Sequence, residues 1–468
     1  MYNVTIGNET FFASDGETLS DVLLRAGKTV VHPCAGRGVC RKCTVNVNGS
    51  EVLSCQYRIH SDADVILPEQ GEIESVTGGE TLAVQTENVC FALDIGTTTL
   101  ALALVSTDEE RIVNVITRTN PQVSFGADVI SRIDHCRKNT AEPLCKAVIG
   151  AVNEMVSAFA LSEPKDLFVA GNTTMLHLFF NVDCSSIGAA PYKPVFLDSK
   201  TATGENMRLC GVRNVISLPN ISSFVGADLV AGLNYVRMPA DGKYSLLVDL
   251  GTNAEVVLFS KTDILCTAAA AGPCFEGANI AQGMPATDGA ITSFSLDGGV
   301  PTVKTVGNAP SKGICGTGLI DMIAELLRHG HIDETGFMEE ESYEVAPGVF
   351  LEQGDVRQFQ LAKSAVCSAI MSLLKIKNIC PADVEKLYIA GGFSAKINVP
   401  NAVFCGLLPE ELESRCEVLH NSSLHGTVRF ACEQNDLTAF TKKARCVDLA
   451  NNADFSKMFI DNMMFAEV

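Results

Sequence analysis

The strongest indication of the fold is a motif that occurs twice in the chain. Residues 91–105 read FALDIGTTTLALALV, and residues 246–259 read LLVDLGTNAEVVLF. Each copy runs from an apolar stretch through Asp, an apolar residue and Gly-Thr into a second apolar stretch, which predicts a strand, a tight turn and a returning strand. The two aspartates, Asp94 and Asp249, lie 155 positions apart, about the length of one α/β domain. The repeat therefore predicts two related lobes, with a coincidental pair of core hairpins as the alternative.

The turn of each hairpin has the composition of a phosphate-binding loop. Gly96 and Gly251 allow the backbone to approach a phosphate closely. Backbone N–H groups that follow these glycines can surround its oxygens, namely those of Thr97, Thr98, Thr99, Thr252 and Asn253. We expect Asp94 and Asp249 to face each other across a cleft, where the magnesium ion of a nucleotide takes carboxylates or waters as ligands. Glu255, on the second returning strand, could orient an attacking water or be a surface acid.

Two further glycine-containing segments fit a nucleotide site. In KLYIAGGFSAKINVPN, residues 386–401, an apolar strand leads into Gly391, Gly392 and Phe393, where an adenine and ribose could lie against the backbone. In KGICGTGLIDMIAELLRHG, residues 312–330, an amphipathic helix is predicted to begin at the segment Gly316, Thr317, Gly318. The positive end of that helix could face the nucleotide, or the glycines could serve close packing alone.

A cluster of four cysteines predicts a metal centre near the beginning of the chain. The segment VHPCAGRGVCRKCTVNVNGSEVLSC contains Cys34, Cys40, Cys43 and Cys55, with glycines inside the loop that allow sharp turns. A hairpin turned at Asn48-Gly49 would return the last thiolate to the other three. Four thiolates arranged in this way favour a 2Fe–2S cluster. A structural zinc site is the alternative, because Cys40 and Cys43 also fit a zinc knuckle.

The residues around the cysteines resemble plant- and vertebrate-type 2Fe–2S ferredoxins. A hairpin around Gly7-Asn8 and a helix capped by Thr18 and Asp21 are predicted before the cluster loop. The resemblance implies a ferredoxin-like domain over residues 1–78, which relays one electron. Residues 79–88 are predicted to be a linker.

Charge and hydropathy exclude several classes of partner. The net charge of −20 would repel the phosphates of nucleic acid and of anionic membranes. The first residues lack a basic stretch followed by an apolar one, and the apolar runs are interrupted by charges, so neither a signal peptide nor a spanning helix is expected. We therefore expect a cytoplasmic protein with reduced thiols.

The nucleotide-binding segments, in their order along the chain, resemble the ASKHA superfamily of actin, sugar kinases and acetate kinase. Residues 120–133, 169–179, 268–291 and 420–431 are, together with the ferredoxin-like domain, similar to the reductive activators of corrinoid proteins. The resemblance implies an α/β multidomain protein: an N-terminal β-grasp 2Fe–2S domain and a two-lobed, ribonuclease-H-like ATPase, with lobes at 89–240 and 241–468. Only 35 residues separate Cys55 from Phe91, so a short form without the family's middle domain is expected.

The resemblance also implies a function. The chain would use ATP and Mg²⁺ to pass one electron from its 2Fe–2S cluster to the Co(II) corrinoid protein of a methyltransferase, restoring Co(I), and would itself be reduced by a low-potential donor. A homodimer is compatible with this function. The alternatives are a redox-sensing ATP-binding regulator, a metabolite kinase and an activator of another metalloenzyme.

Three more residues are candidates for the cleft, with structural alternatives. Asn172 and Thr173 could line it or cap a helix, and Glu276 lies in a glycine-rich loop. His177 lies among apolar residues and is interpreted as a core residue.

Overall fold

The computed structural model describes residues 1–7, 9–26, 28, 43–67 and 88–466. Cys34, Cys40 and the predicted linker up to residue 87 lie outside the described residues. The first part of the chain forms β1 (Tyr2–Ile6), β2 (Glu9–Ala13), α1 (Leu19–Arg25), β3 (Thr44–Val47), β4 (Ser50–Leu53) and β5 (Ala63–Ile66). These described strands make one mixed sheet in the order β2-β1-β5-β3-β4.

Local signals in this first sheet are confirmed. Thr18 caps α1, because its hydroxyl accepts the N–H of Asp21 at 3.2 Å and donates to the Asp21 carboxylate at 2.6 Å. Asn48 and Gly49 both have positive φ and turn β3 back into β4. The inward side chains of the sheet and α1 form one core, which includes Val4, Leu19 and Cys43.

The next part of the chain builds a second sheet. Its helices and strands are β6 (Val89–Ile95), β7 (Thr99–Ser106), β8 (Arg111–Thr119), α2 (Val129–Lys138), α3 (Glu142–Ala158), β9 (Lys165–Gly171), α4 (Thr173–Phe179), β10 (Thr201–Thr203) and β11 (Val212–Ser217). The strand order is β10-β11-β9-β6-β7-β8 among the described residues. β6, β7 and β8 form an antiparallel meander, and β9 lies parallel to β6. The central strands are apolar on both faces, as expected when helices cover a sheet.

The remaining part contains a third sheet with the same central arrangement. It comprises α5 (Ala227–Tyr235), β12 (Tyr244–Leu250), β13 (Ala254–Phe259), β14 (Ile264–Ala269), β15 (Ala290–Asp297), β16 (Val300–Thr305), β17 (Gly313–Ile314), α6 (Gly316–Arg328), β18 (Ser342–Ala346), β19 (Val349–Glu352), α7 (Gln353–Lys377), β20 (Val384–Ala390), α8 (Val399–Phe404), β21 (Cys416–Val418), α9 (Ser422–Glu433), α10 (Thr438–Lys443), β22 (Ala444–Cys446) and α11 (Ala453–Asp461). The described strands of the main sheet have the order β21-β20-β12-β13-β14-β22. β12, β13 and β14 form a meander and β20 lies parallel to β12, which repeats the pattern of the second sheet. The predicted duplication of the hairpin is therefore a duplication of a sheet.

The described chain divides into two compact units. The first contains residues 1–223 and 427–434, and the second contains residues 224–426 and 435–468. The helix α9 is shared, because its residues before Thr427 belong to the second unit and the others to the first.

Within the described residues, α7 is the one helix long and apolar enough, by length and composition, to cross a membrane. Of its apolar stretch, 72% is buried inside the protein, as in the core helix of a globular fold. The stretch does not stand out in the sequence, because its apolar side chains alternate with serines and lysines.

Candidate functional site

The predicted phosphate-binding loop of the first hairpin, residues 96–99, is called the first phosphate loop. The parallel pairing of β6 and β9 fixes its position. Ile95, the last residue of β6, lies opposite Gly171, the last residue of β9. The carboxyl ends of both strands therefore reach the same edge of the sheet, and the segments that follow them meet there. A Cβ atom on Gly171 would lie 2.8 Å from the carbonyl oxygen of Ile95, so glycine is needed for this approach.

Two residues outside the hairpin hold the carbonyl groups of this loop. The side chain of Asn120 donates its Nδ2 to the carbonyl oxygen of Gly96 at 2.8 Å, and its backbone N–H donates to Thr98 at 2.8 Å. Arg132, on α2, donates its Nη2 to the carbonyl oxygen of Thr97 at 2.5 Å. Both residues lie in a segment that resembles the family, but no local pattern in the sequence indicates a role for either.

Asn172 caps a helix, as one interpretation of the sequence held, and it also contacts the loop. Its Oδ1 accepts the N–H of Met175 at 2.9 Å and caps α4, while its Nδ2 donates to the hydroxyl of Thr97 at 3.2 Å. The hydroxyl of Thr173 is buried and donates to the carbonyl oxygen of Ser222 at 2.6 Å. Thr173 therefore fixes the start of α4 and does not project into open space.

The second phosphate loop closes the hairpin of β12 and β13 in the second unit. Asp249 and Glu255 lie directly opposite each other on these strands, so their side chains share one face of the sheet. The N–H of Thr252 donates to the Glu276 carboxylate at 3.0 Å, and its carbonyl oxygen accepts the N–H of Gly272 at 3.0 Å. Glu276 thus accepts from an N–H that was predicted to bind phosphate.

Glu255 is partly buried, and its surroundings favour the protonated form. Burial raises the pKa of its carboxyl well above the ordinary value, and the negative charges of Asp249, Asp228 and Glu276 raise it further. A carboxyl with a raised pKa is a stronger proton acceptor. Glu255 is therefore not a fully exposed acid, and its water-orienting role stays a prediction.

The predicted nucleoside segment follows β20, the strand next to β12. Gly391 has φ of 116°, and a Cβ atom there would lie 2.2 Å from the carbonyl oxygen of Leu250, so no other residue fits. Gly392 is exposed, with nothing within 4 Å of the position of a Cβ. The ring of Phe393 stacks on Phe275 with centroids 5.0 Å apart. Open space beside a fixed aromatic ring is compatible with a bound nucleoside.

The start of α6 shows the close packing that was the alternative for the second glycine segment. A Cβ atom on Gly316 would lie 2.1 Å from the carbonyl oxygen of Phe275, and one on Gly318 would lie 2.2 Å from that of Ile291. The buried hydroxyl of Thr317 donates to the carbonyl oxygen of Thr292 at 3.0 Å. Packing against neighbouring backbone therefore accounts for both glycines.

The structure describes two of the four predicted cluster ligands, Cys43 and Cys55, and places their thiols side by side. The Sγ atoms of Cys43 and Cys55 lie 3.3 Å apart, too far for a disulfide bond. Two thiolates bound at about 2.3 Å to one tetrahedral metal ion would lie roughly 3.8 Å apart. The pair therefore fits two ligands of one iron with a small adjustment, and the other two predicted ligands belong to the segment outside the described residues. Within the described residues, no group of three or more His, Cys, Asp or Glu side chains is arranged to hold a metal ion.

Other thiols pair in ways that the sequence did not indicate. The Sγ atoms of Cys266 and Cys446 lie 3.2 Å apart across the parallel strands β14 and β22. The thiols of Cys136 and Cys184 also interact, which lowers the pKa of Cys136 and raises that of Cys184. These pairs join residues that are distant in sequence, so spacing gives no signal for them.

Comparison with protein families assigns the three parts of the chain. A model for 2Fe–2S iron–sulfur cluster binding domains matches residues 4–70, a model for the RACo middle region matches residues 89–241, and a model for the C-terminal ASKHA domain of RACo matches residues 243–468. Fold and site thus define a 2Fe–2S ferredoxin-like domain joined to an ASKHA-type nucleotide-binding protein, which confirms the predicted fold class. The two RACo models together match most of the chain. The chain belongs to the RACo family, the reductive activators of corrinoid proteins.

Known proteins support this assignment along the whole chain. The corrinoid activation enzyme RamQ of Eubacterium limosum is 26% identical over 98% of this chain and 98% of its own length. The Co(II) methylated amine-specific corrinoid protein reductase of Methanosarcina barkeri is 26% identical over 68% of this chain and 65% of its own. A solved structure of a reductive activator for corrinoid, iron–sulfur protein has the same fold, with a TM-score of 0.73, 24% identity and coverage of 100% and 99%.

One expectation from the sequence is wrong. The chain does not lack the middle region, because the model for that region matches residues 89–241. The region begins at the first hairpin and does not lie between the ferredoxin-like domain and Phe91. The region contains a six-stranded sheet with its own Asp-Ile-Gly-Thr turn, so its sequence has the pattern of an ATPase lobe.

Proposed function

We propose that this chain is an ATP-dependent reductive activator. It passes one low-potential electron from its 2Fe–2S cluster to a Co(II) corrinoid protein and so regenerates Co(I) for methyl transfer. The observation that carries the proposal is the combination, in one chain, of a 2Fe–2S domain with two converged thiols and an ASKHA-type nucleotide-binding domain. Relatives named for corrinoid activation and for Co(II) corrinoid protein reduction match the chain over 98% and 68% of its length.

Energy explains why a ferredoxin would be joined to an ATPase. A one-electron couple shifts by about 59 mV for each tenfold change in its equilibrium. Raising an electron by a few hundred millivolts therefore needs on the order of 5–10 kcal/mol. Nucleotide-dependent states can supply this free energy only if they bind the corrinoid protein with different affinities.

We assign the iron–sulfur ligands and the magnesium site by chemistry. Cys34, Cys40, Cys43 and Cys55 hold the cluster, which supplies one electron when bound. Asp94 and Asp249 hold Mg²⁺ or its waters, since Mg²⁺ is typically bound by one or two carboxylates and by substrate phosphates. Glu255 orients the water that attacks the nucleotide.

The nucleotide is assigned to the loops and to the segment after β20. The residues that surround phosphates are Gly96, Thr97, Thr98, Thr99, Gly251, Thr252 and Asn253. The residues that hold the nucleoside are Gly391, Gly392 and Phe393, with Gly316, Thr317 and Gly318 contributing through the start of α6. Glu276 must release the N–H of Thr252 before a phosphate oxygen can accept it.

The proposed partners are a corrinoid methyltransferase protein and a low-potential electron donor, in the cytoplasm and without nucleic acid or membrane. A basic face on the corrinoid protein would suit the net charge of −20. A homodimer is compatible with this function and is not required by it.

An anaerobic absorption assay tests the function. The full chain, with its cluster reconstituted, is mixed with a Co(II) corrinoid protein, a reductant and MgATP. We expect the Co(I) absorption to appear only when ATP is present. Asp249→Asn should abolish this rise, because the amide is a much weaker magnesium ligand, while the absorption of the cluster stays intact.

Asp297→Asn is the matched control, because Asp297 is an exposed acid at the end of β15 in the same unit. It should retain the activity of the unmodified chain. Full activity of Asp249→Asn would refute the magnesium assignment, and Co(I) formation at the same rate without ATP would refute the ATP-dependent function.

A further inference from the structure

A buried cation lies behind the first phosphate loop. Arg132 is 0% exposed, and it makes no ion pair with any described residue. Its guanidinium donates to the carbonyl oxygens of Thr97 and Gly126, to the side-chain oxygen of Gln122 at 3.3 Å and to the sulfur of Met175 at 3.0 Å. All of these acceptors are neutral, and a buried charge without a counter-charge is costly.

The bonds from Arg132 and Asn120 determine which way the loop presents its N–H groups. In a trans peptide unit, the carbonyl of one residue and the N–H of the next point in opposite directions. Asn120 holds the carbonyl of Gly96, and Arg132 holds the carbonyl of Thr97. The N–H of Thr97 therefore points away from the Asn120 amide and that of Thr98 away from the Arg132 guanidinium, and neither donates a hydrogen bond to any described residue.

We propose that Arg132 and Asn120 are positioning residues that prepare this loop for an anionic phosphate of the nucleotide, with Arg132 also supplying a buried positive charge behind it. This inference rests on the proposed function, since nucleotide is the ligand. Successive backbone N–H groups that no described residue accepts can form a small anion-binding concavity. A guanidinium bonded to the carbonyl of the same peptide unit polarises that unit and strengthens its N–H as a donor.

The described surroundings of Arg132 lack a paired negative charge, which favours an anionic ligand nearby. Burial lowers the pKa of Arg132 to about 9, and the Asp128 carboxylate offsets only part of this effect. Asp128 itself accepts the N–H of Ser131 at the start of α2. A bound phosphate would add the negative charge that the described surroundings of Arg132 lack.

Equilibrium binding of ATP and of adenosine to the full chain tests the inference, because adenosine has no phosphate. Arg132→Met keeps most of the side-chain length and removes the charge and the donors. It should weaken ATP binding about 10- to 100-fold and leave adenosine binding nearly unchanged. Arg132→Lys should give an intermediate loss, since it keeps the charge without the planar fork. Asn120→Asp should also weaken ATP binding, because a carboxylate cannot donate to Gly96 and repels phosphate.

Arg118→Met is the matched control, because the side chain of Arg118 is 42% exposed and pairs with Glu154 in the same unit. This variant should bind ATP like the unmodified chain. Thermal unfolding and the cluster absorption verify folding, and Arg132→Lys and Asn120→Asp carry the test if Arg132→Met does not fold. An ATP-to-adenosine affinity ratio that stays unchanged in the folded variants would overturn the inference, because a merely structural role lowers both affinities alike. Failure of the unmodified chain to bind ATP would instead contradict the proposed function.

Discussion

The buried side chain of His177, on α4, holds the chain at Val195 and Phe196 in place. Its Nδ1–H donates to the carbonyl oxygen of Thr173 at 2.7 Å, and its Nε2 accepts the N–H of Val195 at 3.1 Å. The ring also stacks on Phe196 with centroids 4.2 Å apart. Since one ring nitrogen donates and the other accepts, the imidazole is neutral. The interpretation of His177 as a core residue is therefore confirmed.

This neutral histidine predicts a pH dependence of stability. Burial lowers the pKa of His177, and the Lys200 charge lowers it further, while the Thr173 carbonyl and Asp183 raise it. As pH falls below about 6.5, the unfolded chain gains a proton that the folded chain does not accept, so this group destabilises the fold. The free energy of unfolding falls by at most about 1.4 kcal/mol per pH unit, until the pH passes the pKa of His177 in the folded chain.

Urea unfolding at pH 7.5 and 5.5 measures this contribution. His177→Gln should be less stable than the unmodified chain at pH 7.5 and should lose less stability on acidification. His329→Gln, at an exposed position, is the control and should keep the pH dependence of the unmodified chain. An equal loss of stability in His177→Gln and the unmodified chain would contradict the assignment.

At the scale of elements, one face of α7 binds α11, the last helix of the described chain, and the residues that follow it. Gln360 donates to the carbonyl oxygen of Met463 at 2.8 Å, and Ser364 donates to that of Phe459. Lys363 is buried, and its Nζ donates to the carbonyl oxygen of Met464 at 2.6 Å. These positions lie one turn apart on α7. The polar residues that interrupt its apolar pattern therefore bind the segment from α11 onward.

Phe465 anchors this docked segment. Its side chain is 5% exposed, packs 6.4 Å from the ring of Phe359 and lies 4.7 Å below the Lys363 ammonium. Phe465→Ala should lower the free energy of unfolding by about 3 kcal/mol, through lost burial and the cavity it leaves. Chemical denaturation followed by circular dichroism measures the change.

Phe337→Ala is the control, because Phe337 is 55% exposed, and it should change the free energy of unfolding by about 0.5 kcal/mol or less. If both substitutions had the same small effect, the segment after α11 would not contribute to the stability of the second unit.

The elements also show what could be predicted from the sequence. The hairpins, the capped helix α1 and the start of α6 follow from patterns within about fifteen residues, and these predictions are confirmed. The roles of Asn120 and Arg132 were not predicted, because the bonds to residues 96 and 97 exist only after α2 packs on the sheet. The Glu276 bond to Thr252 was missed for the same reason. The predicted roles of the nucleotide and cluster residues stay predictions.

At the scale of the whole molecule, the middle region changes how the chain is understood. Its six-stranded sheet and that of the ASKHA domain have the same central order, with a hairpin meander and a parallel fourth strand. A search by local motif therefore finds a lobe wherever this hairpin occurs. Sequence comparison over the whole region separates the middle region from the ASKHA domain, because it uses the residues between the motifs.

The chain as a whole joins an electron carrier to a nucleotide-binding protein, and this covalent link should itself raise the rate. A short flexible tether gives an effective concentration in the millimolar range, whereas assays use about micromolar protein. Cutting the chain at a protease site inserted into residues 79–88 should therefore slow ATP-dependent Co(I) formation about 10²- to 10³-fold. ATP hydrolysis and the cluster absorption should persist, since the domain before the linker has its own core.

The uncut chain with the same insertion is the control and should retain the full rate. The rate of the cut protein should also rise with protein concentration, because the two fragments must meet by diffusion. A cut protein that works at the rate of the uncut one at every concentration would show that the electron-carrying domain stays bound to the rest without the tether. The linker would then serve only as a connection, and the coupling between ATP and electron transfer would depend on the contact between the folded parts.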